Sequence, residues 1–486
     1  MNDSIGIDIG STHCKAVRLH EGKLRGVRSI NTDLSTMTPI GPAYNAEKIF
    51  QDICAMIRSL QDEFHAPAEG IGISAMVDSY LFFSFEKGAL TPVIPWFNDA
   101  GAKYETQFIK RYNADELWHK TGQTPSVKRA WPRLQLLHSL YPEAIKEADL
   151  FISLYAYILY SFSGSMVTDY SVASRSMLFD LYEKEFISDL LIDTYPAQKL
   201  PPLVASGDCI GTVIPSLRTT LNLNEDCRVY VAGHDHISAF HVIQTAAPGA
   251  AANSMGTAEV LTGNFSEMKR TKEMREKGIS FGLISKNKSY WLANQPSSGI
   301  CYEYLLKRLA FPAGDYHRLQ VPEGLYACDK GLFFVPYLNG SGTPLPNSTR
   351  RFGFIDLNHL LPPRLEDAPP GLLAAAVGEA LAFESRRIQK SLGDLLPNKS
   401  KIIATGGGTR NEHLCTCKAA LSDTSFFKSS LAELSAAGAA LYASPGSCID
   451  LREKKITSDP ERREMLLRYY PVYLELIHNH QMKLIN

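Results

Sequence analysis

The chain has 486 residues, 45% of them hydrophobic and 21% charged, the make-up of an ordinary folded protein and too long for a single hydrophobic core. Its 50 Lys and Arg against 51 Asp and Glu give a formal net charge of −1 with no block of like charge, which argues against nucleic acid or an anionic membrane as the main partner. Nine cysteines, an odd number with no C-x-x-C pair, argue against a disulfide framework or zinc cluster and fit reduced thiols.

The first element is an apolar strand, Ile5-Gly-Ile-Asp8-Ile-Gly10, followed by Ser11 and Thr12 and a second strand that carries Lys15. Ile5, Ile7 and Ile9 alternate with Gly6, Asp8 and Gly10, so one face packs in a core while Asp8 emerges on the other. Gly10 lets backbone approach a bulky anion, and the following amides with the Ser11 and Thr12 hydroxyls can donate to phosphate. A plain hairpin has the same pattern. A strand starting at Ile5 leaves no room for a secretory leader, so a cytoplasmic location is expected.

Apolar residues at helical spacing predict a helix over 46–64, and Gly70 to Ser74 reads as a strand. Leu150 to Phe162 is the most apolar run; it is too short to span a bilayer and reads as a buried helix. Arg228 to Ala232 is a strand that ends in Gly233-His234-Asp235-His236. A carboxylate delivered there can take the proton of an attacking hydroxyl. Asp235 could instead cap the helix that follows, and His234 with His236 could hold a metal, although no third ligand is close in sequence.

Pro248-Gly249 marks the expected boundary, giving domains of 1–245 and 246–486. About half the chain beyond Gly10, Gly256-Thr257 again sits between two short apolar runs, as expected if each domain lends one phosphate loop to a shared cleft. A strand over 331–335, a helix over 372–392 and a strand over 401–405 continue an α/β alternation. Gly406-Gly407-Gly408 then leads through Asn411 into a helix, a flexible turn or a bare platform for a base and ribose. Neither a Walker loop nor a strand followed by G-x-G-x-x-G occurs.

This order of pieces resembles the FGGY carbohydrate kinase family, within the actin, hexokinase and Hsp70 superfold, over nearly the whole chain. Thr168-Asp169-Tyr-Ser-Val-Ala173-Ser174 is similar to its T-D-x-S-x-A-S stretch, and Gly331 to Pro344 to its G-L-x-F-x-P-Y-x-x-G-E-R-T-P segment, with Ser341-Gly342 in place of Glu-Arg. Glu433 to Leu441 belongs to the same resemblance. It implies an α/β fold of two similar ribonuclease H-like, actin-like ATPase domains with the catalytic cleft between them. It implies MgATP as phosphate donor and a terminal hydroxyl of a sugar or polyol as acceptor.

By the same resemblance Asp235 is the general base, and Asp8 positions Mg²⁺ through water. Gly10, Ser11, Thr12 and Lys15 correspond to the first phosphate motif, Gly256 and Thr257 to the second, and Gly406, Gly407 and Asn411 to the adenosine motif. Val77-Asp78 resembles a pair in rhamnulose and fuculose kinases. Trp96-Phe-Asn98-Asp-Ala100 resembles the W-x-D-x-R sugar segment, with Asn and Ala replacing its Asp and Arg. Asp78, Trp96 and Asn98 are therefore expected at the acceptor, Trp96 having a core aromatic as its other reading. The resemblance leaves a homodimer open. An actin-like ATPase driving a partner protein would share the phosphate loops without a sugar pocket, and a non-catalytic sensor would be expected to have lost Asp8, Thr12 or Asp235.

Overall fold

Two large sheets carry the same pairing scheme in a computed structural model that describes residues 3–64, 67–187, 200–265, 271–347, 349, 351–397, 400–479 and 483–485. In the first half, Ser4–Ile9, His13–His20 and Lys23–Asn31 form an antiparallel meander. Ser4–Ile9 then pairs in parallel with Gly70–Ala75, which pairs in parallel with Arg228–His234, and Cys209–Thr212 closes the edge antiparallel. In the second half, Ala251–Met255, Glu259–Phe265 and Lys288–Gln295 make the meander. Lys401–Thr405 and Ser425–Ser429 add the parallel strands and Glu453–Lys455 the antiparallel edge. Ser280–Ser285 extends this second sheet beyond the shared plan.

The parallel strands are buried on both faces, and their Ile, Val and Ala runs follow from that. Ala46–Phe64 turns Ile49, Ile53, Ile57 and Leu60 into the first core, and Pro370–Leu392 does the same for the second with Leu373, Val377, Leu381 and Ile388. Both helices match the expected spans. The apolar run over 150–162 does not form one helix: Leu150–Ser153 is a strand antiparallel to Tyr80–Ser84, and the helix is Leu154–Ser163. The Ser153 hydroxyl accepts from the Ala156 amide and starts the helix, and Gly164 ends it in the left-handed conformation. Hydropathy alone does not register that cap.

One helix of the second half lies against the first sheet. Leu434–Tyr442, rich in Ala, approaches the Gly6 and Gly72 backbone so closely that a Cβ on either glycine would fall within 2 Å of a helix carbonyl. Its own Gly438 meets the Ser238 carbonyl of helix Asp235–Ala246 in the same way. The Ser238 hydroxyl donates to the Ser435 carbonyl at 2.8 Å. The helix that begins at Asp235 is thereby fixed to the second half of the chain. No helix among the described residues is long and apolar enough to cross a membrane.

Candidate active site

Asp235 is the first residue of its helix, and His234 occupies the cap position with no side-chain cap bond, so Asp235 is not the helix cap. The strand register shifts between Val231 and Gly233, just before the chain leaves the sheet and enters the helix at Asp235. The Gly233 amide donates to the Tyr155 hydroxyl and the His234 amide to the Ser171 hydroxyl, each at 2.9 Å. Ser171 donates in turn to the buried Asp169 carboxylate, which also caps the next helix through the Val172 amide. The 167–180 segment thus holds the backbone that presents Asp235.

Asp235 Oδ1 accepts from the His236 amide at 2.7 Å and lies 3.0 Å from His234 Nε2. Oδ2 has no partner among the described residues. Burial favours the neutral acid, but His236 and His234 outweigh it and hold the Asp235 carboxyl below the usual range. Burial keeps His234 neutral, so its Nε2, facing the carboxylate, is assigned the proton; Nδ1 is buried and unpartnered. Ligand atoms of His234, Asp235 and His236 lie within 4.8 Å of one another, so the third group missing from the metal reading of the two histidines is the aspartate between them.

Two strands away in the same sheet, Asp8 projects from Ser4–Ile9 opposite Lys15 of the hairpin. Burial and then the Asp235 charge push the Asp8 carboxyl well above its ordinary range, partly offset by Lys15. Its Oδ1 is buried without a partner. Lys15 pairs at 2.5 Å with Glu433, which stands before helix Leu434–Tyr442. The carbonyls of Gly10, Ser11 and Thr12 accept from the Thr32 hydroxyl, the Tyr44 hydroxyl and the Thr32 amide. The Ser11 and Thr12 amides have no partner among the described residues and remain available to an anion.

The second glycine-threonine turn is exposed at Gly256 and Thr257, its carbonyls tied to the amides of Gly299, Ser298 and Ile300. Beneath it the buried Glu259 accepts from Asn253 and pairs with the fully buried Lys418. Gly406 has φ +87° and sits where a Cβ would be 2.8 Å from the Met255 carbonyl, so the triple-glycine turn packs beside the second loop; Gly407 opens to free space. Asn411 spends its side-chain oxygen on the Leu414 amide as a helix cap. A cavity of about 630 Å³ is lined by Asp8 and Lys15 from the first half and by Gly406, Gly407, Arg410, Lys428, Arg452 and Lys454 from the second. Gly10, Ser11, Thr12, Gly256 and Thr257 are not among its lining residues. Its five cations come from four segments of the chain, and no local motif announced them.

Asp78 is buried in a left-handed conformation, φ +61°, with Oδ2 accepting from Arg129 Nη1 at 2.7 Å and Oδ1 unpartnered. Trp96 is half-buried, with Lys128 Nζ 4.8 Å from its ring. Asn98 donates to the Ile40 carbonyl and accepts from the Ala100 amide, so its amide shapes the loop. Arg133 clasps the carbonyls of Pro95, Trp96 and Asn98 from below. In the segment that departs from the family pattern, a Cβ on Gly342 would lie 2.0 Å from the Asn294 carbonyl, so no larger side chain fits. Ser341 bonds Leu345 and Asn347, both in the second half of the chain.

Comparison with known proteins joins these observations. Residues 4–241 match the family model for the N-terminal domain, and 251–445 that for the C-terminal domain, of the FGGY family of carbohydrate kinases. The chain is 23% identical over 454 residues to a xylulose kinase of Bacillus subtilis, covering 91% of this chain and 88% of that one. It is 24% identical over 469 residues to an L-fuculokinase of Escherichia coli K12, covering 90% of each. Its fold superposes on a gluconate kinase from Lactobacillus acidophilus with a TM-score of 0.84 at 19% identity, over 98% of this chain and 97% of that one.

Proposed function

The chain belongs to the FGGY family of carbohydrate kinases, phosphotransferases with an alcohol acceptor, and from that premise we propose that it moves the γ-phosphoryl group of MgATP to a hydroxyl of a sugar or polyol, with Asp235 as general base. The observation that carries this reading is the opposed pair at the cleft: Asp235 held ionised with a free oxygen, and Asp8 crowded by that charge with a buried oxygen unsatisfied. A proton acceptor must be ionised, and a cation would supply the compensating charge that the crowded Asp8 carboxylate lacks, since it ligates the ionised form.

The residues present fit both absent groups. The Asp8 oxygen without a partner, beside the Asp235 and Glu433 charges, suits a hydrated Mg²⁺, which when bound neutralises charge on the β- and γ-phosphates. The cavity has room and cations for a nucleotide, with Gly406 and Gly407 as bare backbone for the nucleoside. Lys15 and the amides of Ser11, Thr12 and Thr257 supply donors to phosphate oxygens. Asn411 acts by capping the helix that follows the platform.

In the transfer, the acceptor oxygen attacks the γ-phosphorus as its proton passes to Asp235 Oδ2, and the bond to the β-phosphate oxygen breaks in line. His234 and His236 keep Asp235 ionised, and the Ser171–Asp169 support fixes its direction. Asp78 Oδ1 and the Trp96 face hold the acceptor, while Asn98 sets the loop's shape. The boundary belongs near 245/246, with the acceptor on the N-terminal side and the nucleoside on the other. Nothing favours a partner-driven ATPase, for which Asp78 and Trp96 would be idle. ADP release should rise at least ~10-fold when the right sugar or polyol is added; stimulation by no acceptor, with steady hydrolysis throughout, contradicts the reading.

A further inference from the structure

Around Asp78 the chain buries more positive charge than it offsets. Lys128, Arg129, Arg133 and Arg175 are all buried or half-buried, and the carboxylates acting on them are Asp78 and the exposed Asp99. Arg129 gives Nη1 to Asp78, Arg175 gives Nη1 to the neutral Gln123 amide oxygen, and Arg133 gives Nη2 to carbonyls. Left buried and without a partner are Nε of Arg129, Nε of Arg175, Nε and Nη1 of Arg133, and Oδ1 of Asp78.

The Ser79 and Tyr80 hydroxyls beside Asp78 are also buried and unpartnered and can accept, but neither carries charge. Water can satisfy an N–H group, but it does not offset charge, and a buried guanidinium calls for an anion. Burial and then the Arg129 charge push Arg175 down to about 10, and Lys128 is lowered by burial despite Asp99 and Asp78. A neutral sugar would add hydroxyls to this site and leave the excess charge in place. The Asp78 oxygen still open can take a hydroxyl beside the anion. The cluster also reaches the transfer site, since Arg175 acts on His234, the partner of the base.

We propose that the acceptor is a polyhydroxy acid, an aldonate or uronate, whose carboxylate seats on Arg129 and Arg175 while its hydroxyls reach Asp78 and Asp235. This rests on the kinase reading above. It makes Arg129 and Arg175 specificity-determining residues, and Lys128 a neighbouring cation that draws the acid in.

The test uses the full-length enzyme with MgATP and acceptors of four to six carbons matched in pairs, each aldonate against its alditol and each uronate against its aldose, with two ketoses added. Phosphorylated product is read by ³¹P NMR. At least one acid should exceed its neutral partner by ~10²-fold in kcat/KM. Arg129→Gln should cut that ratio at least ~10-fold, mainly through KM, with ATP affinity unchanged. Lys128→Met, which leaves the Asp78 pair intact, should lower the same ratio and guards against misfolding of the first variant. A neutral acceptor preferred over every acid, or an acid preference untouched by both variants, overturns this inference and leaves the kinase reading standing. ATP turnover indifferent to every acceptor overturns both.

Discussion

At the scale of single residues, the site depends on carboxyl groups that ordinary chemistry would leave alike. Asp8 and Asp235 act on one another, and burial penalises the charge of each, yet two histidines and a backbone amide hold Asp235 ionised while Asp8 is driven the other way. Asp8→Asn removes the oxygen that suits the cation. It should raise the Mg²⁺ concentration for half-maximal activity by ~10-fold or more, measured in a metal titration, with far-UV circular dichroism unchanged. Glu379 is a third case, buried between the Ala327 and Cys328 amides with its carboxyl pushed up to about 7 by burial. A raised folded value means its contribution is whole below the unfolded value of about 4.3 and is lost as pH rises through about 7, on the order of 3 kcal/mol. Melting temperature should fall between pH 5 and 8, and Glu379→Gln should flatten that fall. The sequence displayed Asp8 and Asp235 because each ends an apolar strand, whereas Arg129 and Asp78 lie 51 residues apart and no spacing rule links them.

At the scale of elements, legibility followed period. Ala46–Phe64 was readable because one face is buried and the other wet, and Pro370–Leu392, buried all round over 372–385, because its apolar run is too long for a strand. The stretch from 150 to 162 was not, because a doubly buried strand and a buried helix have the same hydropathy, and the Ser153 cap decides between them. The buried Glu259–Lys418 pair under the Gly256-Thr257 turn was also hidden, since a charge in an apolar strand gives no sign of its partner. The least legible element was Leu434–Tyr442, whose Ala and Gly pattern is a matter of contact distance across the molecule. Gly438→Ala places a methyl 1.9 Å from the Ser238 carbonyl, so the helix that starts at Asp235 must move. We expect a loss of ~2–3 kcal/mol in urea unfolding and a fall in turnover larger than any change in ATP affinity. Unchanged stability and turnover would show that the close approach is dispensable.

For the whole molecule, the repeated sheet plan puts the Gly10-Ser11-Thr12 and Gly256-Thr257 turns, half a chain apart, at the same point of each half. Each ends the first strand of a meander in its own sheet, and the two sheets are joined through Leu434–Tyr442 and the Lys15–Glu433 pair. The family follows from the matched domains, while the proposed acid acceptor is argued from the charges gathered beside Asp78. The central claim is that the proton of the acceptor passes to Asp235. It is tested most directly by Asp235→Asn, which keeps the shape of the side chain and removes its basicity. With the accepted substrate at saturation, single-turnover phosphoryl transfer should fall at least ~10²-fold while the ATP dissociation constant, measured by calorimetry, stays within about threefold. Transfer at near wild-type rate in that variant would contradict the account.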